Sequence, residues 1–207
     1  MKQALAGLAL AAPAFAWTFR ARRPNFWWRM TATAGGLGAY ALAVEPALRD
    51  ARPRPRDLVA GVATAGLLYG VFQVGDRLAR RVMPAGGAEI GTIYELRRLL
   101  PRWAIAGLLA TIIGPAEELF WRGLLQGTLM RRLGRWPGAA LATACYGGVH
   151  LASGNLTLTG AAAVAGAWWG AQYALEGRLP ALIASHICWD LWIFLVAPTP
   201  GAAPPRA

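Results

Sequence analysis

The longest stretch without a charge decides what this chain can fold into. Trp136 to Leu175 is 40 residues without an Asp, Glu, Lys or Arg. Leu58 to Gly75 is a second such run, of 18 residues. Gln3 to Phe19 is a third, and Arg29 to Glu45 encloses a fourth. Leu179 to Pro205 carries a single charged residue, Asp190. A helix needs about 20 mostly apolar residues to cross a bilayer, with ~17 as the lower bound. The runs therefore predict membrane-spanning helices. They are rich in Ala, Gly and Leu and lack the period-2 alternation of an outer-membrane barrel strand. The predicted spans are 3–19, 30–48, 58–76, 103–130, 137–152, 156–175 and 179–197. The fourth is long for one crossing, which predicts a bend or a break into two. The fold class is thus all-α, a polytopic integral membrane bundle of about 7–8 transmembrane helices in a plasma or inner membrane.

Turn chemistry punctuates the runs. Ser153, Gly154 and Asn155 divide the 40-residue run, and Glu176-Gly177-Arg178 makes a tight reversal before Pro180, a suitable helix-start residue. The stretch 77–102 is the one sizeable polar loop, within which Ala88 to Leu100 predicts an amphipathic surface helix. Three regions follow: N-terminal transmembrane helices over 1–89, a core of transmembrane helices over 90–197, and a Pro-rich disordered tail over 198–207. Residues 1–16 also carry the outline of a signal peptide, with Lys2 followed by an apolar run and Ala14-Phe15-Ala16.

The net charge of +11 raises nucleic acid as a partner. The arginines argue otherwise. They cluster between the runs, at Arg20, Arg22, Arg23 and Arg29, at Arg49, Arg52, Arg54 and Arg56, and again at Arg77, Arg80 and Arg81. Such clusters are juxtamembrane anchors facing lipid phosphates, so membrane lipids are the expected partners and nucleic acid is not. Arg-rich loops follow both the first and the second span, which leaves orientation undetermined. Only two cysteines occur, Cys145 and Cys188, too few for a disulfide scaffold.

Six polar residues break the apolar pattern: Glu117, Glu118, Arg122, His150, His186 and Asp190. An ionisable group near mid-span costs about 2.5–3.5 kcal/mol or more, so each calls for a compensating role. Glu118 and Arg122 are i and i+4, on one helix face where they can pair. Glu117 lies about 100° away and points elsewhere. His186 and Asp190 are again i and i+4 and can enter one cavity. His150 closes a helix of small residues that permits close packing. Of the two adjacent glutamates, Glu118 is the one held by Arg122, and Glu117 suits general-base work.

Glu117-Glu118-x-x-x-Arg122, followed by Tyr146-Gly147-Gly148-Val149-His150 and by His186-Ile187-Cys188-Trp189-Asp190, resembles the CPBP family of intramembrane proteases, also called the Abi or CaaX-protease family. That family carries E-E-x-x-x-R, F-x-x-x-H and H-x-x-x-N or H-x-x-x-D on successive membrane helices. Here Tyr146 stands in place of Phe, and Asp190 in place of Asn. The resemblance covers roughly residues 90–197. It implies an endopeptidase that cleaves a membrane-bound or lipidated peptide or protein. It implies that Glu117 activates a water, aided by His150, that His186 and Asp190 stabilise the oxyanion, and that Glu118 and Arg122 orient the site. An ionised Asp cannot donate to an oxyanion, so Asp190 must be protonated or must orient a protonated His186. The alternative is Zn²⁺ held by Glu117, His150 and His186, since two His and a carboxylate suit that metal. No H-E-x-x-H occurs, and the expectation is a site without a cofactor. Two other readings compete: a non-enzymatic scaffold or bacteriocin-immunity factor on the same fold, and a proton-coupled transporter. Neither an inverted repeat nor a large span count supports the transporter.

Overall fold

The structure, a computed structural model, describes residues 1–20, 23–82 and 86–198. Among them helix dominates and no strand occurs. Eight helices follow in order: α1 Lys2–Phe19, α2 Phe26–Val44, α3 Pro55–Val82, α4 Gly86–Tyr94, α5 Arg102–Leu133, α6 Arg135–Val149, α7 Leu156–Glu176 and α8 Leu179–Val196. Short 3₁₀ turns at Arg23–Asn25, Pro46–Asp50, Glu95–Arg98 and His150–Ser153 join them. Seven of the eight fall on the predicted runs, and three are long and apolar enough to cross a membrane: Pro55–Leu78, Arg102–Leu133 and Leu179–Val196. The count of seven or eight crossings is not matched on those criteria. α6 has only 15 residues before its 3₁₀ turn, and α1, α2 and α7 carry Ala, Gly and Thr where longer apolar side chains would raise hydropathy.

Two boundaries differ from expectation. α3 continues past residue 76 to Val82, so Asp76 lies inside a helix. Arg, Leu and Ala are good helix formers, and a helix does not stop where its apolar run stops. The surface helix begins at Gly86 and gives way to a 3₁₀ turn after Tyr94, short of the predicted Leu100. The predicted tail lies outside the described residues from position 199 onward.

α5 is one helix of 32 residues, neither broken nor divided. Pro115 sits inside it and has no N–H to give to the preceding turn. The helix absorbs this by widening into π-helical turns at Leu109–Ile113, just before the proline, and again at Leu119–Gln126. Such turns recur at functional sites.

Small residues let the helices meet. α2 crosses α5 where Gly38 faces Ala116: a Cβ on Gly38 would stand 2.7 Å from that of Ala116. α3 runs along α8, with Gly61 set against Ala181, Ala184 and Ser185. α6 runs along α7 and α5, where Gly138 lies against the backbone of Leu129 and Met130. Packing of this kind is what holds helices together where the surroundings are as apolar as the side chains. The α7–α8 reversal is as predicted, with Gly177 at φ +62°, and Gly154 at φ +67° precedes α7. Asn155 caps α7, its Oδ1 accepting from the Leu158 N–H at 2.7 Å. Asp57 is buried in the first turn of α3, just after a loop. It accepts from the Arg54 N–H at 2.7 Å and from both ends of the Arg178 guanidinium.

Candidate active site

α5, α6 and α8 bring the six polar residues to one place. Glu118 is 0% exposed, Arg122 2%, His186 4%, Glu117 5% and His150 7%. Asp190 is less enclosed, its side chain 15% exposed. Burial of this degree requires partners, and the partners divide the site into two connected halves.

The first half is centred on Glu118. Its Oε1 accepts from Arg122 Nη1 at 2.9 Å and from His186 Nδ1 at 2.7 Å. The other ring nitrogen of His186, Nε2, stands 3.5 Å from Asp190 Oδ2. The His186 ring stacks on Trp169 of α7, with centroids 4.0 Å apart and planes at 20°. Trp169 Nε1 in turn donates to Ser185 Oγ at 3.2 Å, and Thr64 of α3 donates to the same oxygen at 3.1 Å. The Arg122 guanidinium lies over the Tyr146 ring, 4.7 Å from its centroid, and over Trp169 at 5.3 Å. It also donates to the Gly166 carbonyl at 3.4 Å. One turn further on, Gln126 donates to the Gly170 carbonyl at 2.7 Å. Both carbonyls belong to α7, so a buried polar ladder along α5 fixes the helix that carries Trp169.

The second half is centred on Glu117. Its Oε2 accepts from the Tyr146 hydroxyl at 3.1 Å. His150 reaches this half through Tyr146: its Nδ1 donates to the Tyr146 carbonyl at 2.8 Å. A carbonyl only accepts, so the proton is on Nδ1 and Nε2 is left as an acceptor. The His150 ring is walled by Tyr146, Phe15 and Phe19, with centroids 5.0, 5.4 and 5.5 Å away. Adjacent glutamates thus point to different partners, as a 100° rotation per residue requires.

Four contributors escaped the sequence reading: the Tyr146 hydroxyl, Trp169, and Phe15 and Phe19 from α1. Only Tyr146 left a signal, since it departs from the aromatic residue of the motif it completes. The Trp169 stack and the Phe15 and Phe19 walls join helices distant in sequence.

His150 donates from Nδ1 to a carbonyl, which leaves its Nε2 with a lone pair, and both nitrogens of His186 face carboxylates of α5 and α8. Among the described residues no three His, Cys, Asp or Glu side chains come together as a metal-binding group.

Residues 98–192 match the family described as type II CAAX prenyl endopeptidase Rce1-like. The matched segment holds all six polar residues, so it is similar to that membrane-embedded CaaX-protease family over the part that carries the site. The match covers a little under half of the chain. No curated protein and no solved structure matches it.

Proposed function

We propose that the chain is a multi-pass intramembrane endopeptidase that hydrolyses a peptide bond of a membrane-bound or lipidated substrate, with Glu117 as the base that activates water. The observation that carries the reading is the division of labour between neighbouring carboxylates. Glu118 is committed to Arg122 and His186 through one oxygen. Glu117 is engaged only at Oε2, by a tyrosine hydroxyl, and its Oε1 makes no hydrogen bond among the described residues.

In this reading Glu117 Oε1 takes a proton from a water that also donates to the His150 Nε2 lone pair. The water oxygen adds to the scissile carbonyl carbon, and the carbonyl electron pair moves to oxygen. His186 donates from Nε2 to that oxyanion. Its Nδ1 is already committed to Glu118, so it acts as a doubly protonated ring, and Asp190 holds the Nε2 proton in line. This is the second of the two roles an Asp can take in place of Asn. The intermediate collapses, the C–N bond breaks, and the proton on Glu117 passes to the leaving amine. The products are a new carboxylate and a new amino terminus. Fixed donors in a dry site are worth several kcal/mol to such an oxyanion, and a positioned base adds ~10²–10⁴ in rate.

The test compares protein termini in host membranes carrying the wild type or Glu117→Gln at matched expression. Termini present with the wild type and absent with the variant establish the peptidase and identify its substrates. Identical termini reject it and favour a scaffold. Elemental analysis of pure active protein is expected to find less than one zinc per chain; one tightly held zinc, with chelator inhibition, overturns the metal-free mechanism.

A further inference from the structure

Tyr146 stands where the family motif has phenylalanine, and among the described residues its hydroxyl is the one side-chain group bonded to the Glu117 carboxylate, at 3.1 Å. The ring is held in place from several sides. Trp121 meets it edge-on at 5.2 Å, and the His150 ring does so at 5.0 Å. The Arg122 guanidinium covers one face at 4.7 Å. Gly166 of α7 lies so close that a Cβ there would stand 2.8 Å from Tyr146 Cδ1. A ring packed on this many sides delivers its hydroxyl to one point, and that point is Glu117 Oε2.

Resting on the proposed role of Glu117 as base, we infer that Tyr146 is a positioning residue that fixes the Glu117 carboxylate so that Oε1 is the oxygen presented to water. A carboxylate on a three-torsion side chain samples several orientations, and a single fixed donor removes that freedom. Phenylalanine gives the same ring packing and leaves Glu117 to find its own orientation, so the hydroxyl adds a contact the family motif does without. The Tyr146 backbone carbonyl also accepts a hydrogen bond from His150 Nδ1. One residue thus orients both groups that handle the water, with its carbonyl setting the histidine tautomer and its hydroxyl setting the glutamate.

The experiment uses the full chain in proteoliposomes, with the membrane peptide identified by the comparison of termini as substrate. Tyr146→Phe keeps the ring, so folding is checked by an unchanged thermal unfolding midpoint. The expected result is a kcat lower by about 10- to 100-fold with KM unchanged, the size of one lost hydrogen bond to a charged group. Combining Tyr146→Phe with Glu117→Gln is expected to lower the residual rate no further, because the donor then has no carboxylate to hold. A kcat equal to wild type overturns the inference, and so does a fall confined to KM. If Glu117→Gln is fully active, or no wild-type-specific termini exist, the base role itself fails and the inference falls with it. If Glu117→Gln is inactive while Tyr146→Phe is normal, only the inference fails.

Discussion

α3 and α5 are both long apolar helices, yet they are built for opposite surroundings. In the spanning part of α3 only 17% of residues are buried within the protein; in α5 the share is 44%. α3 turns Leu58, Val59, Val62, Leu67, Val74 and Leu78 outward and keeps its charges at its two ends. α5 carries Glu117, Glu118, Arg122 and Gln126 at its centre, all buried and all bonded. The difference teaches where the cost of an embedded charge is met. On α3 no ion-pair partner is needed between Leu58 and Gly75, because that stretch has no charge and its exposed residues are apolar. On α5 Glu117, Glu118, Arg122 and Gln126 each find a partner on α6, α7 or α8.

The largest effect that can break this contrast is on activity. Glu117→Gln removes the proposed base and is expected to cut cleavage by ~10²–10⁴-fold while leaving the fold intact, since an amide can still accept from Tyr146. Changes on the outward face of α3, such as Val59→Leu, are expected to leave cleavage unchanged. A Val59→Leu chain as inactive as Glu117→Gln would mean that α3 belongs to the reacting centre.

The next effect is on stability. Arg122→Leu leaves the fully buried Glu118 with His186 as its one partner. Removing one member of a buried ion pair costs about 3–5 kcal/mol, so the unfolding midpoint in detergent should drop sharply. The double change Glu118→Gln with Arg122→Met should recover most of that loss without restoring activity. If the single change alone is stable, the Glu118–Arg122 contact is not a structural requirement of α5.

Glycines sharpen the contrast on a smaller scale, and within α3 itself. A Cβ at Gly61 would stand 2.5 Å from Ala184 Cβ and 2.9 Å from the Ala181 carbonyl oxygen. At Gly66 nothing lies within 4 Å. Gly61→Ala is expected to destabilise by about 1–3 kcal/mol, the usual cost of overpacking. Gly66→Ala should be neutral or slightly stabilising, because alanine is the better helix former. Equal unfolding midpoints for the two variants would mean that α3 does not pack on α8 along this face.

These contrasts also mark what the sequence could show. Helix positions were legible because long apolar runs with few or no charges have few alternatives. The Glu118–Arg122 and His186–Asp190 pairings were legible because both are local, i to i+4 on one helix. Contacts between helices were not. Nothing in the spacing tells that His186 donates to Glu118, 68 positions away, or that its ring stacks on Trp169. The π-helical turns of α5 were hidden too: Pro115 predicts an interruption, and only packing against α2, α6 and α8 decides that the helix widens rather than breaks. The Asp57–Arg178 pairing was hidden for the same reason, since the two lie 121 positions apart.

The smallest expected effect lies outside the membrane core, at α4, the shortest of the described helices. Glu89 of α4 ties this helix to the start of α7. Its Oε2 accepts from the Thr157 N–H at 2.9 Å and the Thr157 hydroxyl at 2.5 Å, and its carbonyl accepts from Asn155 Nδ2 at 2.9 Å. The two Thr157 donors hold the Glu89 carboxyl below its ordinary range. A depressed carboxylate stabilises the folded form above its unfolded pKa, and that contribution is lost as pH falls through the lower folded value. The protection factors of the Leu156 and Thr157 amides, taken against the intrinsic exchange rate at each pH, should therefore fall below about pH 4, while amides in the centre of α5 stay protected. Glu89→Gln keeps an acceptor oxygen but loses the charge at the α7 N-terminus, so it should show the lower protection already at neutral pH and little further change in acid. Equal exchange in the wild type and the variant at neutral pH would mean that the tie rests on Asn155 and the backbone alone.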